Sequence, residues 1–411
     1  MKDRIALRCI ILVSLALFSC EKSATIAESS PEHRGKDPVI LVSIDGYRHD
    51  YTVKYHPPWL SSLARRGSKL ASLIPVYPSK TFPNHVSIIT GMYPAKHGIL
   101  SNRFFDPVSR RTFDYHKTTD DPTWFHTRPL WVSAEEQGMR TASVFWIGAE
   151  AAAGGRSPAY FLKYDGKLST SERTAQIVSW LSLPENVRPV FLMLYFSKVD
   201  DMGHRYGPDS SQVEEAIQNI DTGLDELEKS ILKIGLHPRF VIVSDHGMVR
   251  VDSSRRICIG DIVKESEAKI EIGGAQSFLY NVASEKRKEL VERLNAVPGL
   301  RAYPREATPE SYRIRSMPSA GDILVESTPP GLISPCSVLK PDPAGMHGWD
   351  PVRYPENRAI FYAVGPGIRS GLVLPAAENV HIVPFLIRLL GLRQEGEMDG
   401  TISPLEKMLQ K

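Results

Sequence analysis

Three short apolar runs, far apart in a chain of 411 residues, each lead into an acidic residue. They are 39–44 followed by Asp45, 190–196 with Asp200 four residues on, and 240–244 followed by Asp245 and His246. Near-continuous runs rich in Val and Ile read as strands buried on both faces, the kind found in parallel sheets. In such sheets ligands bind in the crevice beyond the carboxyl ends of the strands. Three distant segments therefore bring carboxylates, and at least two histidines, to one sheet edge. So much unpaired negative charge in one place calls for cations, and the pattern reads as a site for two metals.

Helix-like runs alternate with strand-like ones: 39–44, 57–67, 71–76, 83–90, 141–147, 171–182, 190–196, 211–234 and 240–244. The alternation predicts an α/β fold with a mostly parallel central sheet flanked by helices. Val213, Ile217, Ile220, Leu224, Leu227 and Ile231 follow a clear helical period. From about 265 to 335 the texture changes to short β-like runs and Pro-rich turns, with one helix near 284–296. This stretch predicts a small inserted α+β elaboration within a catalytic domain spanning 38–400. Ala359 to Val364 reads as a final strand, and His381 to Leu392 as a closing helix.

The N-terminus reads as a targeting segment. Lys2, Arg4 and Arg8 precede an apolar stretch from Cys9 to Phe18, too short to span a bilayer as a stable helix. Leu17-Phe18-Ser19-Cys20 resembles a bacterial lipoprotein processing box. The expectation is an exported, periplasmic protein, with residues 1–20 as signal segment, a lipid anchor at Cys20 and a polar tether over 21–37. The net charge of +3 falls to +1 without residues 1–19, because Lys2, Arg4 and Arg8 leave together with Asp3. No basic excess points to duplex nucleic acid. With Cys9 in the signal and Cys20 lipidated, only Cys258 and Cys336 remain; an oxidising compartment would let them pair, but two cysteines alone do not establish a bridge.

Four motifs carry chemistry. In the stretch Tyr77 to Gly91, Pro83 suits the first turn of a helix and Gly91 its end. Thr81 then stands at the helix N-terminus, where free N–H groups and the dipole favour phosphate and, beside a metal, a threonine nucleophile. Alone, Thr81 is more simply an N-cap. Asp200 and His204, four apart, share one helix face and can hold one ion. Asp245 and His246 can converge if the chain bends, which Gly247 permits. His347 lies between Met346 and Gly348 in a glycine-bounded loop. Mixed carboxylate and imidazole ligands without thiolate suit zinc, manganese or iron, and paired metals are the usual clamp for phosphate ester displacement.

In this order the motifs resemble the nucleotide pyrophosphatase/phosphodiesterase family of the alkaline phosphatase superfamily. The resemblance runs from about Pro38 to Leu392. It rests on Ile44-Asp45-Gly46, Pro78 through His85, Thr90 through Pro94, His97-Gly98-Ile99, Asp200 with Gly203-His204, Ser244 through Met248, and His347-Gly348. It implies two zinc ions. One would be held by Asp45, Asp245, His246 and the Thr81 oxygen, the other by Asp200, His204 and His347, also touching Thr81. It further implies that Asn102 and the Phe82 N–H hold a phosphate oxygen, that Phe82 and Tyr195 sandwich a nucleobase, and that Tyr164 lines the sugar pocket. The implied activity is hydrolysis of phosphodiester and pyrophosphate bonds in nucleotides, with release of nucleoside 5′-monophosphate through a phosphothreonine. A choline-phospholipid diesterase, a phosphomonoesterase or a phosphonate hydrolase on the same scaffold are the alternatives. Lys198-Val199-Asp200 and Trp146-Ile147-Gly148 depart from the family's usual Glu-Pro-Asp and Trp-Pro-Gly.

Overall fold

The computed structural model describes residues 28–337 and 343–410. Its centre is an eight-stranded sheet in the order Leu372–Leu374, Ser68–Leu70, Phe361–Val364, Arg239–Val243, Val39–Ile44, Phe191–Phe196, Thr141–Val144 and Tyr160–Leu162. The five strands from Arg239–Val243 to Tyr160–Leu162 pair in parallel, and Phe361–Val364 runs against its neighbours. This is the mostly parallel α/β sheet that the alternating runs predict.

The unbroken apolar runs have a direct physical cause. Along Val39–Ile44, Val39 and Leu41 enter one core while Ile40, Val42 and Ile44 enter the other. Phe191 and Met193 alternate with Leu192, Leu194 and Phe196 in the same way. Successive strand side chains point to opposite faces, so a strand covered on both sides admits a polar residue only where it finds a buried partner, as Ser43 does in His85. Helices Pro58–Arg66, Thr170–Leu181 and Ser211–Lys233 cover one face. Helices Thr81–Thr90, Leu130–Glu136 and Ile382–Leu390 cover the other. Among the described residues no helix is long and apolar enough to cross a membrane.

The stretch of changed texture holds a separate antiparallel sheet. Its order is Lys269–Ile272, Gln276–Tyr280, Ile323–Ser327 and Leu300–Pro304, and helix Arg287–Asn295 packs on it around Leu279, Leu290, Leu294, Ile323 and Val325. A disulfide joins Cys258 to Cys336, a pairing that composition left open.

Two expectations need correction. Residues 28–37 are not a free tether: the Ser29 N–H donates to the Asn186 carbonyl at 2.7 Å, and Ser29 and His33 are buried. Polar composition concealed this because the contacts are largely backbone bonds. Residues 21–27, the signal segment and Cys20 lie outside the described residues. Phe361–Val364 is also not the last strand, since Leu372–Leu374 follows at the sheet edge, too short and too exposed to leave an apolar signature.

The inserted sheet is fastened to the central domain near the segment that becomes important below. Glu326, buried on Ile323–Ser327, accepts hydrogen bonds from the hydroxyls of Tyr77 (2.8 Å) and Tyr312 (3.0 Å), whose rings stack at 3.7 Å. Burial pushes the Glu326 carboxyl up to about 7, although the two tyrosines act the other way. A folded-state value above the unfolded one means that the folded protein binds the proton more tightly. Stability from this group is therefore complete at pH below about 4.5 and is lost as pH rises through about 7, in total about 3 kcal/mol. Glu326→Gln is expected to flatten that decline. Urea denaturation of both proteins at pH 5 and pH 8 measures it, and parallel pH slopes would refute the assignment.

Candidate active site

Thr81 opens the buried helix Thr81–Thr90, with Lys80 as its N-cap residue and Gly91 as its left-handed end. The threonine is therefore the first helical residue rather than the cap, and its side chain is not engaged in capping. It is 8% exposed and lines a cavity of about 630 Å³. Its hydroxyl lies 3.2 Å from His246 Nε2, across the ends of the central strands.

The sequence-predicted ligands gather around it. Asp45 and Asp245 follow neighbouring parallel strands, and Asp200 and His204 sit one turn apart on helix Lys198–Tyr206. Asp45, Asp245 and His246 offer oxygen and nitrogen atoms that all lie within 4.8 Å of one another, and so do Asp200, His246 and His347. His204 Nε2 is 3.3 Å from Asp200 Oδ2 and 3.2 Å from His347 Nε2. His246 thus stands between the two groups, its ring stacked on His347 at 3.5 Å.

Backbone contacts fix which nitrogen faces inward. The Nδ1 atoms of His204, His246 and His347 donate to the carbonyls of Gly345 (2.8 Å), Gly247 (2.9 Å) and Ser79 (2.7 Å). Each Nε2 is then turned toward the other candidate ligand atoms, the usual way a protein orients imidazoles toward a metal. Asp45 Oδ1, Asp200 Oδ1 and Asp245 Oδ2 are buried without a hydrogen-bond partner. Facing lone pairs and orphaned carboxylate oxygens are costly unless cations or protons sit among them. The donor set fits divalent metal.

The electrostatics agree. Burial, followed by the charges of Asp245 and Asp200, pushes the Asp45 carboxyl well above its ordinary range. Burial acts likewise on Asp245, but His246 and then His85 outweigh it and hold that carboxyl low. Burial drives His347 well below the usual imidazole value, with His246, Lys80 and His204 adding to it.

Two glycines make the approach possible, for different reasons. Gly46 has φ +68°, and a Cβ there would come within 2.9 Å of Asp200 Cα. Gly247 is not needed for the bend expected from sequence. A Cβ there would instead meet the Glu356 carbonyl oxygen at 2.1 Å, so the requirement is for space.

The aromatic residues depart from expectation. Tyr195 is only 7% exposed, its hydroxyl donates to Asp45 Oδ2 at 2.5 Å, and its ring packs edge-on against His85 at 5.1 Å. It lines the cavity as expected, but it supports a carboxylate and, at that exposure, has little free face to stack on a base. Phe82 does line the cavity, near Tyr115 at 5.9 Å, and Tyr164 stands 52% exposed on another wall against Phe145. Asn102 also lines it, but its Oδ1 accepts the Phe82 N–H at 2.9 Å. The two groups expected to hold phosphate are bonded to each other, which leaves the Asn102 amide NH₂ as the free donor. His85 was missed by sequence reasoning although it lies inside a quoted motif. Its Nδ1 donates to the Thr81 carbonyl at 2.9 Å, and its Nε2 lies 2.9 Å from Ser43 Oγ. Tyr115, His116 and Glu150 in the cavity wall were also missed, since they lie in loops without a pattern.

Zinc added to chelator-treated protein is expected to raise the melting temperature, equivalent to about 2.7 kcal/mol at a hundredfold excess over Kd. His347→Ala is expected to shrink that gain. Calorimetry with and without zinc decides it, and an unchanged wild-type melting temperature would mean that protons alone satisfy these acceptors.

The chain resembles known proteins over nearly its full length. Residues 39–350 match the family model described as type I phosphodiesterase / nucleotide pyrophosphatase. A pyrophosphatase/phosphodiesterase of Schizosaccharomyces pombe is 32% identical over 90% of this chain and 80% of its own length. Human ectonucleotide pyrophosphatase/phosphodiesterase family member 1 is 29% identical over 90% of this chain, which spans only 42% of that relative. Murine family member 5 superposes with a TM-score of 0.84 at 26% identity, covering 91% of this chain and 100% of that one. An inactive threonine-to-alanine variant of the same murine protein, in complex with AMP, gives 0.85 at 25% identity. The fold is accordingly that of an alkaline-phosphatase-like hydrolase. The family depends on metal, typically zinc, in keeping with the acceptor groups described above. The chain belongs to the type I phosphodiesterase / nucleotide pyrophosphatase family and is a hydrolytic enzyme.

Proposed function

We propose that this enzyme cleaves phosphodiester and pyrophosphate bonds in nucleotides and their derivatives, releasing nucleoside 5′-monophosphate by way of a phosphothreonine at Thr81. The observation that carries the reading is the position of the Thr81 hydroxyl. It lies at a helix N-terminus on the cavity wall, 3.2 Å from His246 Nε2 and among carboxylate oxygens that lack partners. The AMP complex of the murine relative, whose variant lacks a threonine and is inactive, supports the same assignment by likeness.

Two zinc ions would be held by Asp45, Asp245 and His246 and by Asp200, His204 and His347, supplying positive charge that favours the threonine alkoxide and offsets the charge on phosphoryl oxygens. The remaining steps belong to the chain. Thr81 Oγ attacks phosphorus in line, the bond to the leaving oxygen breaks, and water then hydrolyses the phosphothreonine. The helix N-terminus favours the negative phosphoryl group. Asn102 turns its NH₂ toward a non-bridging oxygen, a neutral donor suited to a diester with one negative charge. Phe82 offers a ring face to the base, with Tyr164 on another wall in place of Tyr195. Tyr195 holds Asp45, and His85 holds the first turn of the nucleophile helix. Export, with lipid at Cys20, rests on the N-terminal pattern alone.

Thr81→Ala should lower kcat on the nitrophenyl ester of thymidine monophosphate by roughly a thousandfold or more, while zinc still raises the melting temperature. Wild-type kcat/KM should be higher on that diester than on nitrophenyl phosphate. A large preference for the monoester would refute the diesterase reading, and full activity in Thr81→Ala would refute the nucleophile.

A further inference from the structure

Four cations that the sequence sets beside the site do not line the cavity. Lys80, adjacent to Thr81, is 5% exposed, with Nζ 3.6 Å from Met346 Sδ. Arg103, adjacent to Asn102, pairs with Asp114 at 2.9 Å and Glu271 at 2.8 Å. Arg173 is buried and donates to the carbonyls of Tyr195 (2.8 Å) and Leu168 (3.0 Å). Lys198 is exposed on the helix that carries Asp200 and lies outside the cavity wall. Among the described residues, none of those lining the cavity is lysine or arginine.

The same wall carries two carboxylates besides the metal-type acceptors. Asp201 follows Asp200 on helix Lys198–Tyr206, and Glu150 lies on the Tyr164 side, where it accepts the Tyr164 N–H at 3.3 Å. Bound cations would offset Asp45, Asp200 and Asp245 but are not held by Glu150 or Asp201. The wall thus holds two carboxylates and no lysine or arginine, although the charges of Lys198 and Arg173 reach Asp201 from outside it. Resting on the function proposed above, we infer that Glu150 and Asp201 are specificity determinants that favour nucleotide diesters with a neutral or positively charged leaving group over those that expel a polyphosphate.

Like charges several ångströms apart in a partly solvated cavity repel enough for a roughly three- to tenfold effect per carboxylate, and salt screens it. The test uses full-length zinc-loaded protein with ATP and the nitrophenyl ester of thymidine monophosphate. The ratio of kcat/KM on ATP to that on the ester should rise about threefold in Glu150→Gln or Asp201→Asn and tenfold in the double variant, chiefly through KM for ATP. It should also rise with ionic strength in the wild type. A ratio that stays constant or falls in the double variant overturns the inference. Binding provides a reading independent of turnover. In Thr81→Ala protein, AMP should bind more tightly than ATP, and the two added substitutions should narrow the gap; equal affinities before those substitutions overturn it. Absence of turnover on both compounds would instead overturn the proposed function, leaving the binding comparison to decide the charge selectivity.

Discussion

Negative charge and lone pairs are crowded together at the ends of the central strands, and most of the local architecture serves to hold them there. Asp45, Asp200 and Asp245 each keep a buried oxygen without a partner, and His204, His246 and His347 aim their Nε2 atoms into the same space. Such an arrangement is unfavourable by itself and becomes favourable around cations. Only a rigid surround can keep it from relaxing. Here that surround is a sheet buried on both faces and a helix, opened by Thr81, whose side chains are almost all buried.

Rigidity is reinforced one layer out. Backbone carbonyls fix the histidine tautomers, Tyr195 holds one oxygen of Asp45, and His85 ties the first turn of the Thr81 helix to Ser43 on the central strand. The inserted sheet joins the same region through Glu326 and the stacked Tyr77–Tyr312 pair, just upstream of Thr81. A part of the fold with its own core, which includes Leu279 and Val325, thereby helps position the segment that carries Thr81.

Much of this was legible because it is local. The apolar runs were readable as two-sided strands since burial on both faces leaves no polar alternation. Asp200 and His204 share one helix face because four residues make about one turn. Other features depended on partners distant in sequence. Tyr195 looked like a base-stacking residue until its hydroxyl was found on Asp45, 150 positions away. Gly247 looked like a hinge, whereas its real constraint is the Glu356 carbonyl. Residues 28–37 looked like a tether because their anchoring is largely through main-chain atoms.

The amino-acid sequence alone determined the parallel core, the acidic strand ends and the threonine at a helix start, because periodicity and composition express burial and helix geometry directly. Tertiary structure alone decided how far each aromatic ring is free to meet a base, which imidazole nitrogen points inward, and that Lys80, Arg103 and Arg173 stay out of the cavity wall. Those outcomes depend on hydrogen bonds and ion pairs between segments up to hundreds of residues apart, and no local pattern encodes where a long side chain finds its partner.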